Sequence, residues 1–134
     1  MKDENKRKNI CEELAHADES LYAARILVEA GLFRESIPKL YYAVFHALCA
    51  LLFTKGLEPR SHGGVSHYFN IHFIIPELFS REYGRFFNRL MKYRHEADYG
   101  LAFEINEQDS NEWLEKTVGF IEVTKDFIEN TRES

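Results

Sequence analysis

The sequence predicts an all-α protein: an antiparallel up-and-down four-helix bundle with one additional short helix. Apolar residues recur at three- and four-residue steps along most of the chain, the spacing of one face of a helix. The 134 residues include only three prolines and seven glycines, too few for the dense turns of an all-β domain. Nothing reads as a strand. At 45% hydrophobic and 29% charged, residues 1–134 suit a single domain that can bury a core without disulfide or metal staples.

The elements follow in order. Met1–Lys8 is highly charged and reads as a frayed tail. From Asn9 to Ala30, Leu14, Ala17, Leu21, Ala24 and Val28 make one apolar stripe, and Gly31 can end that helix with a left-handed cap. The second helix runs from Arg34 or Ser36 to Lys55 and stops at Gly56. Pro38 is expected in its first turn, where a missing amide hydrogen costs little. Its apolar residues, from Ile37 and Leu40 to Leu51 and Leu52, cover much of its circumference, which places it at the bundle centre or against a second subunit. Gly56–Gly64 reads as a loop. A shorter helix carries Val65, Tyr68, Phe69 and Phe73 on one side and closes at Pro76. The fourth helix spans Glu77–Tyr99, with Leu78, Phe86, Leu90, Tyr93 and Ala97 inward, and Gly100 breaks it. Asp109 or Ser110 caps the last, whose stripe runs from Trp113 and Leu114 to Phe127 and Ile128.

Composition excludes some functions. A formal charge of −5 argues against a general polyanion binder, although it leaves room for a local basic strip. Cys11 and Cys49 both fall in helical patterns and read as free thiols in a reducing cytoplasm. Met1–Asn9 has no apolar run of the export type, and Tyr41–Phe53 is too short for a bilayer span and contains His46. A cytoplasmic protein with no membrane partner is expected.

The fourth helix carries the densest chemistry. Arg81, Arg85, Arg89 and Lys92 share one face, as a strip tracking phosphates would, or as a solvated face partly paired with Glu77, Glu82 and Glu96. Arg94 and Asp98 are four apart, so a helix joins guanidinium to carboxylate. The pair is either a structural lock or a unit that presents the remaining arginine donors to a phosphate, with Tyr99 beside it. In the second helix, Tyr42 and His46 put polar tips into an apolar segment: satisfied core groups, or members of a cleft that receives Arg94. His62, before Gly63-Gly64, stands where amides open a helix, a geometry that suits an anion. His62, His67 and His72 are spaced by fives and would not converge on a metal. No metal or cofactor is expected.

Three segments together resemble the HEPN family: the helix and turn from Ala23 through Tyr41-Tyr42-Ala43-Val44-Phe45-His46 to Phe53, then Ser61-His62-Gly63-Gly64-Val65, then Arg94-His95-Glu96-Ala97-Asp98-Tyr99-Gly100. The likeness spans Leu14 to Ile128. It implies a helical bundle that commonly dimerises and is linked to nucleotide or RNA binding. It also implies a minimal nucleotidyltransferase as a partner in a toxin–antitoxin pair. Other members are metal-independent endoribonucleases whose motif is Arg, four to six residues, then His. After Arg94 the corresponding positions hold Asp98, Tyr99, Gly100 and Leu101, with no histidine, and Asp98 beside a cation is a weak base. Arg89 and His95 match Arg-x5-His literally, out of frame with Asp98-Tyr99. The expectation is therefore a non-catalytic module, a homodimer, binding a nucleotide, RNA or a nucleotidyltransferase near Arg94, Asp98, Tyr99, Tyr42, His46 and His62. The alternative is an endoribonuclease using Arg89 and His95, or Arg94 with Asp98.

Overall fold

In the computed structural model, residues 3–100 and 103–133 are described, with side chains through Thr131. Met1 and Lys2 of the expected tail, and Leu101, lie outside the described residues. The described residues form five α-helices: α1 (Asp3–Glu29), α2 (Phe33–Thr54), α3 (His62–Phe69), α4 (Arg81–Tyr99) and α5 (Glu107–Glu133). The described residues contain no strand, and the all-α bundle with one short helix stands as expected. Four of the helices are long, α3 is the short one, and α2 packs against all the others.

Helix ends decide the topology. At Gly31 (φ 80°), the Leu32 amide donates to the Leu27 carbonyl at 2.8 Å and the Gly31 amide to Val28 at 3.0 Å. This is the paired closure in which a left-handed residue satisfies the last carbonyls of a helix. Gly56 (φ 71°) repeats it, with Leu57 donating to Leu52 and Gly56 to Phe53, both at 3.0 Å. A third copy follows α3. There the helix widens into one π-turn over Asn70–Ile74, where the Ile75 amide reaches the Asn70 carbonyl at 2.9 Å. It then closes with Leu78 donating to Phe73 and Glu77 to Ile74, both at 2.9 Å. The left-handed residue here is Glu77 (φ 64°), not a glycine.

That third closure corrects two expectations. α4 starts at Arg81 with Ser80 as its cap, four residues after Glu77, because Glu77 is committed to the turn. Leu78, expected inward, sits on the turn and is 47% exposed. Smaller corrections concern other ends. α1 is helical from Asp3, before the expected start at Asn9. α2 begins at Phe33, so Pro38 lies beyond the first turn and leaves the Arg34 carbonyl without its helical donor. His62-Gly63-Gly64 form the first turn of α3 rather than the end of a loop, since the Ser61 hydroxyl accepts the Gly64 amide at 2.9 Å. Asn106, not Asp109 or Ser110, caps α5 by accepting the Asp109 amide at 2.8 Å, and Ser110 is buried.

α2 is the axis of the core. It is long and apolar enough to cross a membrane by length and composition, and 61% of its most apolar window is buried inside the bundle. Ile37, Leu40, Tyr41, Val44, Leu48, Leu51 and Leu52 are all essentially inaccessible. Most of the breadth of this helix is thus consumed within one chain, and its partly buried residues include Tyr42, Phe45, His46 and Phe53. Around the α3–α4 connection, Phe69, Phe73, Phe79, Phe120 and Phe127 interlock at 5.3–6.1 Å, mostly edge to face, the arrangement that ring quadrupoles favour.

Candidate functional site

A second group of rings on α2 carries polar tips. Tyr41, Tyr42 and Phe45 contact one another at 5.2–6.4 Å, and each also meets the His62 ring at the start of α3. His62 lies almost flat on Phe45, 4.5 Å between centroids, and its Nδ1 is hydrogen-bonded to the Tyr41 hydroxyl. Burial pushes the Tyr41 phenol up to about 12, a rise that Arg94 opposes and that Tyr42 and Cys49 reinforce. It keeps its proton and is the donor. The His62 imidazole is held below its usual value of 6.5, first by burial, then by the Arg94 guanidinium and by the nearby His46. It is therefore neutral near pH 7. With Nδ1 accepting, its proton sits on Nε2.

Arg94 enters this group from α4. Its guanidinium carbon lies 5.2 Å from the Tyr41 ring centroid and 5.1 Å from that of Tyr42, within cation–π range of both. Asp98, one turn on, places Oδ2 3.8 Å from Arg94 Nε, close enough for charge attraction and too far for a hydrogen bond. Nε is buried and has no hydrogen-bond partner, although the side chain is 32% exposed. The result is a cation seated against two adjacent rings, with an uncommitted donor beneath a surface that solvent reaches.

Two residues that sequence reasoning missed hold this arrangement. Arg34, at the start of α2, donates from Nε to the Ala97 carbonyl (2.9 Å), from Nη2 to Gly100 (2.8 Å) and from Nη1 to Phe103 (3.3 Å). It ties down the Ala97 carbonyl in the last turn of α4, between Arg94 and Asp98, and the Gly100 and Phe103 carbonyls just beyond that helix. No local pattern announces it, because its partners lie more than sixty residues away. Glu13, on α1, accepts a hydrogen bond from His46 Nδ1 at 2.7 Å, both side chains about one quarter exposed. It fixes the imidazole and leaves Nε2 for other contacts. His16 lies beside it, rings 5.2 Å apart. A glutamate next to Leu14 on the inward side of α1 was a readable signal.

Other expected residues go elsewhere. Tyr99 is 74% exposed and packs on His95 at 5.0 Å, away from the Tyr41–Tyr42 rings. Arg89 and His95 sit six apart on a continuous helix, ~120° around its axis and ~9 Å along it. Arg81, Arg85, Arg89 and Lys92 are exposed, and among the described residues none pairs with Glu77, Glu82 or Glu96. Arg81 and Arg85 border a groove of about 540 Å³ with Ser66, His67 and Asn88, and Arg85 and Arg89 border another of about 360 Å³ with Tyr83 and Lys116. Among the described residues no three His, Cys, Asp or Glu side chains converge as a metal site. Cys49, beneath the ring cluster, has its thiol raised to about 12, first by burial and then by Glu13, which makes it inert.

Comparison with known proteins fits this architecture. The UPF0332 protein of Thermotoga maritima is 32% identical over 118 residues, 88% of this chain and 89% of its own. A candidate toxin of Methanocaldococcus jannaschii is 41% identical over 83 residues, 62% of each chain. A second candidate toxin of that organism is 30% identical over 84% of this chain and 76% of its own. The HEPN domain model matches residues 12–127, which include α2, His62 and the whole of α4. On that match and those relatives, the chain belongs to the HEPN family.

Proposed function

We propose that this HEPN domain binds the phosphate of a nucleotide or RNA at Arg94 without cleaving it. It would act as a homodimer or with a minimal nucleotidyltransferase partner in a toxin–antitoxin-type system. One observation carries the reading: Arg94 is clasped by Tyr41 and Tyr42, with Asp98 setting its orientation and an unpartnered Nε–H. An arginine whose stem is fixed loses little freedom when it takes an anion. The neutral His62, with its proton on Nε2, adds a donor rather than a base, which favours binding over catalysis. The exposed cations from Arg81 to Lys92 extend the attraction along α4 for a longer strand. The toxin names of two relatives support the system class. For self-association, α1 offers an exposed apolar pair, Tyr22 at 68% and Ile26 at 47%.

Fluorescence titration with mononucleotides and a short RNA tests the site. Arg94→Ala weakens both at least about tenfold, the loss of a charge-assisted hydrogen bond, with an unchanged circular dichroism spectrum. Equal affinities for wild type and variant would remove Arg94 from the site. Cleavage of labelled RNA in EDTA, abolished by His95→Ala or Arg94→Ala, would replace this reading with the endoribonuclease. Light scattering at micromolar concentration checks the dimer.

A further inference from the structure

The aromatic face of α2 does not end at Arg94. Tyr42, Phe45, Cys49 and Phe53 follow at three- and four-residue steps, so they line one side of the helix. Beyond His62 this face forms the floor of an open cleft of about 470 Å³ between α1 and the loop that precedes α3. Phe45, Cys49 and Phe53 supply the apolar floor, and Glu12 of α1 and Glu58 of the loop stand on opposite walls, both exposed. Arg60 is on the same rim.

His62 joins the two regions. It lies 5.5 Å from the Tyr41 ring, which is 5.2 Å from the Arg94 guanidinium, so His62 and Arg94 are within about 11 Å of each other. It also lines the cleft. Between Tyr41 and Cys49, α2 rises ~12 Å. In order along α2 stand a cation at Arg94, a neutral imidazole at His62, and beyond it the apolar-floored cleft with the Glu12 and Glu58 carboxylates and the Arg60 guanidinium on its rim. A nucleotide has matching polarity: an anionic phosphate, a ribose, and a flat apolar base whose exocyclic amine donates hydrogen bonds.

We propose that the cleft over Phe45 and Phe53 is a nucleobase subsite selective for bases with an exocyclic amine, completing the Arg94 site into one for a single nucleotide unit. The subsite rests on the phosphate-binding reading. In it the base lies over the floor formed by Phe53 and the part of Phe45 that the stacked His62 ring leaves uncovered, as unpaired bases rest on aromatic side chains. The Glu12 and Glu58 carboxylates accept from the amine of adenine or cytosine. Uracil offers a carbonyl at that edge and meets a carboxylate with no donor between, an unpaired contact that discriminates strongly.

Calorimetric titration of the full chain with AMP, CMP, UMP and ribose 5-phosphate tests this. Wild type is expected to prefer AMP and CMP to UMP by about tenfold, the worth of one hydrogen bond to a charged group. Glu12→Gln/Glu58→Gln, at two exposed positions, should bring that ratio close to one while ribose 5-phosphate affinity is unchanged. A wild-type ratio near one, or a ratio untouched by the double substitution, overturns the subsite and leaves the phosphate site standing. If Arg94→Ala binds ribose 5-phosphate as wild type does, the phosphate site itself fails. If none of the four ligands binds wild type, both fail.

Discussion

The bundle holds two ring clusters that differ in one respect. Around the α3–α4 connection, Phe69, Phe73, Phe79, Phe120 and Phe127 pack ring on ring and satisfy one another. On α2 and the start of α3, Tyr41, Tyr42, Phe45, His46 and His62 pack just as closely, yet four of the five carry a polar tip that burial would penalise. Some of these groups are tied within the cluster, Tyr41 to His62, and others to charges outside it: His46 to Glu13, and the two tyrosine faces to Arg94. A phenylalanine cluster supplies stability alone. A cluster with polar tips also fixes charged groups at a surface, and that is where the candidate site lies.

The largest expected effect comes from the dry cluster. Phe73→Ala leaves a cavity in a fully buried site and should cost about 3–5 kcal/mol in urea unfolding, with nucleotide affinity unchanged in the fraction that stays folded. A joint loss of affinity would show that the two clusters are not independent. Next is Arg34→Ala, which strips three carbonyls of their donor and should cost about 2 kcal/mol. Here affinity should fall as well, because the end of α4 that presents Arg94 is released. Arg34→Lys should not restore it, since an ammonium cannot reproduce the guanidinium fork.

The polar cluster also predicts a pH dependence. His62 has a lower proton affinity folded than unfolded, so protonation favours the unfolded chain. Its contribution is fully present above about pH 6.5 and is lost as pH falls through its folded value. Melting temperature should decline across that acidic window, and His62→Asn should flatten the slope. An unchanged slope would assign the decline to other groups. The smallest effect is Glu77→Gly, which relieves a left-handed non-glycine residue and should stabilise by about 0.5–1 kcal/mol.

Much of the frame was legible because it is local. Apolar steps along each helix, and Gly31 and Gly56 as left-handed closures, are written within a few residues of where they act. The third closure was not, since Glu77 has no intrinsic preference for the left-handed region. The turn follows Pro76, which has no amide hydrogen with which to continue the helix. The site divides the same way. A spacing of four announces Arg94 and Asp98, whereas Arg34 acts across the bundle with nothing local to betray it, and Glu13 shows only as a glutamate beside Leu14 on the inward side of α1. Tyr41 was read as core, correctly by burial, but its hydroxyl and its ring face serve His62 and Arg94. Tyr99 was grouped with Arg94 by proximity in sequence, and the helix turns it outward onto His95.

Arg94 and Arg34 give the most direct measurement, because the bundle treats their Nε–H groups oppositely. Arg34 Nε already donates to Ala97, while Arg94 Nε has no acceptor. In arginine-selective nitrogen–proton NMR of the full chain, adding AMP should move the Arg94 Nε resonance saturably and leave Arg34 in place. If AMP binds while Arg94 stays fixed, the clasped guanidinium is a structural lock and the anion is held elsewhere.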